Sequence, residues 1–199
     1  VGEGRWSSNV QGMVYLPSDT DTVVTVEAPY PGTFEFYWIE TNGPCESIDT
    51  VTVEFIFIPT AEAGPNADIC GLSHVMDASF SPFAAGWTDN SGGLINYSDQ
   101  SSPFSTVTAD PAVSGNPITF YWTESNQGCS HTDSVVITFY DLPAPDAGPG
   151  GEVCGLCFDL NAVPTSGSGQ WTAEHLDGSA ASVTFSPNDT DENVQACVP

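Results

Sequence analysis

Six cysteines, three histidines and 26 acidic residues are the groups in this chain that could bond, ligate or catalyse. The cysteines are Cys45, Cys70, Cys129, Cys154, Cys157 and Cys197. Their number is even and their spacing is not that of zinc ligands, so disulfides in an oxidising, extracellular setting fit them best. Cys154-Gly-Leu-Cys157 is formally a CxxC, but the βαβ pattern that a thioredoxin-like redox site needs is missing around it. His74, His131 and His175 lie far apart and out of register, so they outline neither a metal cluster nor a catalytic triad and read as surface residues. There is no phosphate loop and no dinucleotide fingerprint. Paired carboxylates are plentiful, but this acidity supplies them by chance. Glu40 and Glu124 recur at one repeat position, which points to support of a repeated fold rather than to a reaction. Asp19-Thr20-Asp21 and Asp189-Thr190-Asp191-Glu192 carry oxygens that could hold Ca²⁺, yet they lack an EF-hand frame and read first as solvated loops. No other cofactor is expected. The chemistry on offer is covalent cross-linking, and the chain is expected not to be an enzyme.

Charge narrows the partners. Arg5 is the one basic residue, there is no Lys, and the formal net charge is −25. Such a chain repels nucleic acid and anionic lipid, and no apolar run approaches the ~20 residues of a membrane span. The missing Lys excludes Lys–Asn isopeptide bonds. Copies packed together would need neutralising, with divalent cations the obvious candidates. No signal peptide is visible and the chain does not open on Met, so it reads as a mature or partial piece.

The elements that must position the cysteines come from a repeat. An offset of 84 residues carries Trp38 onto Trp122. The same offset aligns Cys45 with Cys129, Asp49 with Asp133, Cys70 with Cys154 and Trp87 with Trp171. Phe36-Tyr37-Trp38-Ile39-Glu40 matches Phe120-Tyr121-Trp122-Thr123-Glu124, and Ala63-Gly64-Pro65 matches Ala147-Gly148-Pro149. Inside each copy, apolar residues alternate with period 2, as in Phe34, Phe36, Trp38 and in Val135, Ile137, Phe139. No long period-3.6 pattern occurs. The expected fold is therefore all-β: tandem Ig-like β-sandwich repeats of about 84 residues with little or no helix, Trp87 and Trp122 serving as core anchors.

Pro-rich joints near Pro59 and Pro143 divide the chain into residues 1–60, an incomplete repeat lacking the opening strands; 61–143, a complete one; and 144–199, incomplete and lacking the final strands. Within the complete repeat, Cys70 and Cys129 are the natural pair. Cys157 and Cys197 have no counterparts there and suit a local bridge. Cys45 and Cys154 are left without partners in their own repeats, so they are expected either to pair between subunits or to find partners in flanking chain. Unfinished sandwiches expose edges and open cores. Strand addition from a neighbour would complete them, and such head-to-tail contacts yield an open fibre of copies of this chain.

The strings Phe-Tyr-Trp-x-Glu-(Thr/Ser)-Asn, Cys-x-x-x-Asp-(Thr/Ser)-Val, Ala-Gly-Pro and (Ile/Val)-Cys-Gly-Leu together resemble the Ig-like and PKD-like repeats of large Bacteroidota surface proteins, adhesins and gliding-associated proteins exported by the type IX system. The resemblance spans essentially the whole chain and implies a β-sandwich repeat at the cell surface or released from it; the family's sorting domain is not recognisable. It also implies covalent glycans. Asp-(Ser/Thr)-apolar tripeptides place O-glycan candidates at Thr22, Thr50 and Ser134, and sequons place N-glycan candidates at Asn96 and Asn188. The function expected is a structural subunit of an extracellular fibre or appendage; the alternative is an adhesive or carbohydrate-binding stalk repeat of a giant adhesin.

Overall fold

The computed structural model describes residues 3–165 and 167–199. Among these residues the protein is all-β, and its helical content is one 3-10 turn at Pro111–Val113. The first strands are β1 (Glu3–Ser8), β2 (Val14–Leu16), β3 (Thr25–Glu27), β4 (Gly32–Asn42) and β5 (Cys45–Phe55). Next come β6 (Ala67–Cys70), β7 (Ser73–Val75), β8 (Ala84–Asp89), β9 (Ile95–Tyr97), β10 (Thr106–Ala109), β11 (Pro117–Asn126) and β12 (Cys129–Tyr140). The last are β13 (Cys157–Asn161), β14 (Thr184–Ser186) and β15 (Asn193–Cys197).

The middle seven strands form a sandwich. One sheet has the order β6-β12-β11-β8 and the other β7-β10-β9. This is the strand order of an Ig-like domain, with β6 added parallel to the last strand. The period-2 pattern explains which side faces in. Ile118, Phe120 and Trp122 of β11 and Val135, Ile137 and Phe139 of β12 are buried, and they meet Met76, Val107 and Ala109 from the other sheet. Trp87 and Trp122 are both essentially inaccessible, with ring centroids 5.0 Å apart.

Before β6 becomes a strand, its leading segment is tied along β12 by side chains. The Ala61 N–H donates to His131 Nδ1 at 2.8 Å, and the Ala63 N–H donates to Asp133 Oδ2 at 2.8 Å. Asn66 Oδ1 accepts from the Val136 N–H at 2.7 Å. Gly64 makes this path possible. Its φ is +87°, and a Cβ there would stand 2.5 Å from the Asp77 carbonyl oxygen. Gly148 repeats the left-handed conformation against the Asn161 carbonyl, so the recurring Ala-Gly-Pro string has a steric cause.

The N-terminal strands form a sheet β1-β4-β5 and a ribbon β2-β3. The C-terminal ones form a sheet β13-β15-β14. The tryptophan signature recurs in all three places. Trp6, Trp87 and Trp171 donate backbone N–H bonds to the carbonyls of Asp19, Gln100 and Asp189 at 2.7, 2.8 and 2.7 Å. Their indole N–H groups donate to the carbonyls of Asp21, Ser102 and Asp191 at 3.1, 3.0 and 2.9 Å. Thus both acidic loops use their main chain to receive a tryptophan.

Candidate assembly site

Among the described residues the N-terminal sheets carry the counterparts of β8 to β12 but none of β6 and β7, and the consequence is measurable. Val135 and Ile137 are 2 % and 1 % exposed, whereas their counterparts Val51 and Val53 are 46 % and 37 % exposed. Phe139 is buried, and its counterpart Phe55 is half-buried. The result is an apolar cavity of about 440 Å³ floored by Phe36, Val51, Val53 and Phe55 and walled by Val23 and Val26. In the central sandwich Ala63 and Met76, each 1 % exposed, pack against Val135 and Ile137 in the core, and a smaller cavity of about 310 Å³ remains beside them. The opening strands are what close this core, and the exposed edge of β5 offers the backbone groups that would bind such a strand.

The recurring glutamates have a structural task. Glu40 Oε1 accepts from the Trp38 indole at 2.9 Å, and Glu124 Oε1 from the Trp122 indole at 3.3 Å. Asp133 also recurs with a purpose. Its carboxyl is held below the usual range, first by the Ala63 N–H, then by the Ser134 N–H, with His131 adding a smaller electrostatic contribution. His131 is exposed yet engaged with Ala61, and His74 is half-buried with its pKa lowered by desolvation, against an opposing pull from Asp77. His131 therefore does more than coat the surface, since it holds the Ala61 backbone. Among the described residues no three His, Cys, Asp or Glu side chains gather as a metal site.

The cysteines correct one expectation. Cys70 and Cys129 do not pair. β6 runs parallel to β12 with Cys70 opposite Tyr140, while Cys129 opens β12. Eleven residues of strand separate the two ends, about 36 Å at ~3.3 Å per residue, far beyond the ~7 Å between Cα atoms that a disulfide spans. Cys157 and Cys197 are bonded, joining β13 to β15 at facing register positions. Cys45, Cys70 and Cys154 are exposed free thiols, and Cys129 is a half-buried one. Thr22, Thr50, Ser134, Asn96 and Asn188 are all exposed. Asn188 is the most engaged of these, its Oδ1 accepting from Thr190 and from the Asp191 N–H.

The joint between the N-terminal sheet and the central sandwich is specific. Asn126 Nδ2, at the end of β11 where the turn to β12 begins, donates to the Phe57 carbonyl at 2.9 Å. Gln127 Nε2 of the same turn donates to Glu54 Oε1 at 3.4 Å, from a backbone with φ +51°. Phe57 stacks on Phe83 with centroids 5.7 Å apart. The hairpin tip of one sandwich thus rests on the end of the last strand of the preceding one. Nothing in the residue pattern of the turn, Asn126-Gln127-Gly128, announced this contact.

No protein-family model matches the chain. No curated protein matches it either. Among solved structures it is similar to the extracellular domains 3–5 of Drosophila OTK, at 10 % identity and TM-score 0.40, over 100 % of this chain and 76 % of that one. It is also similar to the protocadherin gammaB7 EC3-6 cis-dimer structure, at 13 % identity and TM-score 0.37, over 98 % of this chain and 58 % of that one. An endo-fucoidan hydrolase from glycoside hydrolase family 107 follows, at 11 % identity and TM-score 0.32, over 98 % of this chain and 34 % of that one. The Ig-like class stands on the hydrogen-bonded strand order, independently of these likenesses. Among the described residues no helix is long and apolar enough to cross a membrane.

Proposed function

We propose that this chain is a structural, non-enzymatic subunit of an extracellular bacterial fibre or appendage of the Bacteroidota surface-repeat type. Residues 61–143 act as a complete Ig-like repeat, and residues 1–60 and 144–199 as incomplete ones. The observation that carries this reading is the exposure of Val51 and Val53 where Val135 and Ile137 are buried. The occupant of the N-terminal groove is the opening segment of a second copy, the stretch around Ala147–Ala162 that corresponds to Ala63–Ala78. Backbone pairing along β5 provides the affinity, and Ala147 and Leu160, standing at the positions of Ala63 and Met76, fill the groove, β13 entering together with β15, to which Cys157–Cys197 bonds it. Because donor and acceptor surfaces differ, the contact is heterologous and propagates. The net charge of −25 opposes assembly, so screening salt or a divalent cation favours it.

Size measurement and electron micrographs of wild type and Val53→Asp test the proposal. Wild type forms end-to-end fibres, whereas Val53→Asp stays monomeric with its central sandwich intact. Fibres of normal length from the variant would overturn it. Covalent glycans at Thr22, Thr50 or Ser134 belong to the same reading and show as added mass on the native material. A second reading, an adhesive or carbohydrate-binding repeat, draws on the aromatic surface at the first joint. Phe57, Phe80 and Phe83 border a groove of about 460 Å³ that also takes in Glu62 and Glu124, a setting suited to stacking on a sugar ring. Titration with neutral oligosaccharides, followed by tryptophan fluorescence, tests that reading.

A further inference from the structure

The central repeat holds its two recurring cysteines at opposite ends. The cysteine at the Cys70 position lies beside the end of the last strand, and the one at the Cys129 position opens that strand at the hairpin tip. Neither reaches the other. The first joint shows what each end meets. Cys70 is the register partner of Tyr140, and the Gly71 N–H bonds the Tyr140 carbonyl at 2.8 Å. The counterpart of Tyr140 in the N-terminal repeat is Ile56, so a cysteine at the Cys70 position there would lie beside Ile56. The following residue, Phe57, receives the Asn126 amide at 2.9 Å, and Asn126 is the register partner of Cys129. The leading end of one repeat and the hairpin tip of the next therefore converge on the same two residues. Gln127 supports this reading, because its left-handed backbone presents its side chain to Glu54 of the preceding repeat. Cys129, at this joint, is half-buried; Cys45, at the same hairpin position on the N-terminal repeat, is exposed.

We infer that the cysteine at the Cys70 position of one repeat bonds the hairpin cysteine of the repeat that follows it, sealing the joint between them. This rests on the head-to-tail reading proposed above, with a second copy as partner. A repeat completed by two copies carries Cys154 from one and Cys45 from the other. Those two stand at opposite ends of it, separated by the length of β5, and so do not bond each other. Cys45 of the second copy instead meets Cys70 of the first, and Cys129 of the second copy meets Cys154 of the first. All four free thiols are used, and Cys157–Cys197 stays apart as an internal bridge.

The reaction is thiol–disulfide exchange. One cysteine thiolate attacks an oxidant of the class R–S–S–R, releasing R–S⁻ and leaving a mixed disulfide. The second thiolate then attacks the protein sulfur, the Cys–S–S–Cys bond forms, and a second R–S⁻ departs. The two R–S⁻ groups take up the two protons lost by the cysteines, so the oxidant is reduced to two R–SH.

The test uses the whole chain, assembled and then oxidised with glutathione disulfide. After alkylation and cleavage by a Glu-specific protease, the four thiols fall in separate fragments, residues 41–46, 63–124, 125–152 and 153–174. The expected linked pairs are 41–46 with 63–124 and 125–152 with 153–174. A pair of 63–124 with 125–152, or of 41–46 with 153–174, overturns the inference. So does complete alkylation of all four thiols in material that micrographs show as fibres, an outcome that leaves the assembly reading standing. Monomers with free thiols overturn both. Oxidised wild type is expected to run as a ladder of linked copies on a non-reducing gel, and the variant Cys70→Ser with Cys129→Ser to keep its fibres but lose that ladder.

Discussion

Val51 and Val135 occupy the same position in two repeats, and the same substitution at each measures whether the groove is filled. Val135→Ala removes two buried carbon atoms from a site 2 % exposed. At about 0.8 kcal/mol per carbon, with a cavity left behind, it costs about 2–3 kcal/mol. Val51 is 46 % exposed, so Val51→Ala forfeits about half of the transfer energy and creates no closed cavity, a cost of about 0.8 kcal/mol. The difference of about 1.5 kcal/mol is roughly a tenfold difference in local opening. Hydrogen exchange followed by mass spectrometry, resolved to the β4–β5 and β11–β12 hairpins, reads each cost separately. In dilute, monomeric protein the tenfold gap should be present. In concentrated protein that has formed fibres, Val51→Ala should rise to the cost of Val135→Ala. Equal costs in the monomer would mean that the groove is already closed. A gap that survives in fibres would mean that no neighbour enters it, and strand complementation would be refuted.

Three further outcomes follow from the structure. Gly64→Ala places a Cβ 2.5 Å from the Asp77 carbonyl at φ +87° and should cost about 2 kcal/mol or more, whereas Gly115→Ala, at φ +74° with open space around it, should cost about 1 kcal/mol in thermal unfolding. Asp133 has its pKa lowered chiefly by the Ala63 N–H, so it stabilises the folded form above the ordinary carboxylate value of 3.8 and ceases to do so as pH falls through its own lower value. The stability difference between wild type and Asp133→Asn, measured by denaturant unfolding, should therefore be about 1 kcal/mol at pH 7 and vanish under strongly acidic conditions; a difference independent of pH would exclude the bond. Replacing Cys157 and Cys197 together by Ser opens a bridge between residues 40 apart, which chain entropy values at up to about 4 kcal/mol; proteolysis confined to the C-terminal sheet should accelerate, with the central sandwich unaffected.

Much of the architecture was legible in the residue order. Period-2 alternation in Phe120–Glu124 and Val135–Phe139 needs nothing but the geometry of a strand to imply one buried face. The recurrence of tryptophan, glutamate and Ala-Gly-Pro at a constant offset marks positions that every repeat must satisfy. The tasks of Glu124 and Asp133 were not legible, because an indole or a backbone N–H becomes their partner only when distant segments lie side by side. The contact of Asn126 and Gln127 was not legible for the same reason, although Asn126 closes a recurring string: a polar turn looks alike whether it meets solvent or the preceding repeat.

The sequence by itself determined the class of fold and the repeat, since these depend on local pattern. Only the tertiary structure decided the cysteine pairing. Spacing along the chain puts Cys70 near the first strand and Cys129 near the last, and that nearness suggested a bond. The parallel register of β6 on β12 places the two thiols a full strand apart, because adjacency between strands says nothing about position along them.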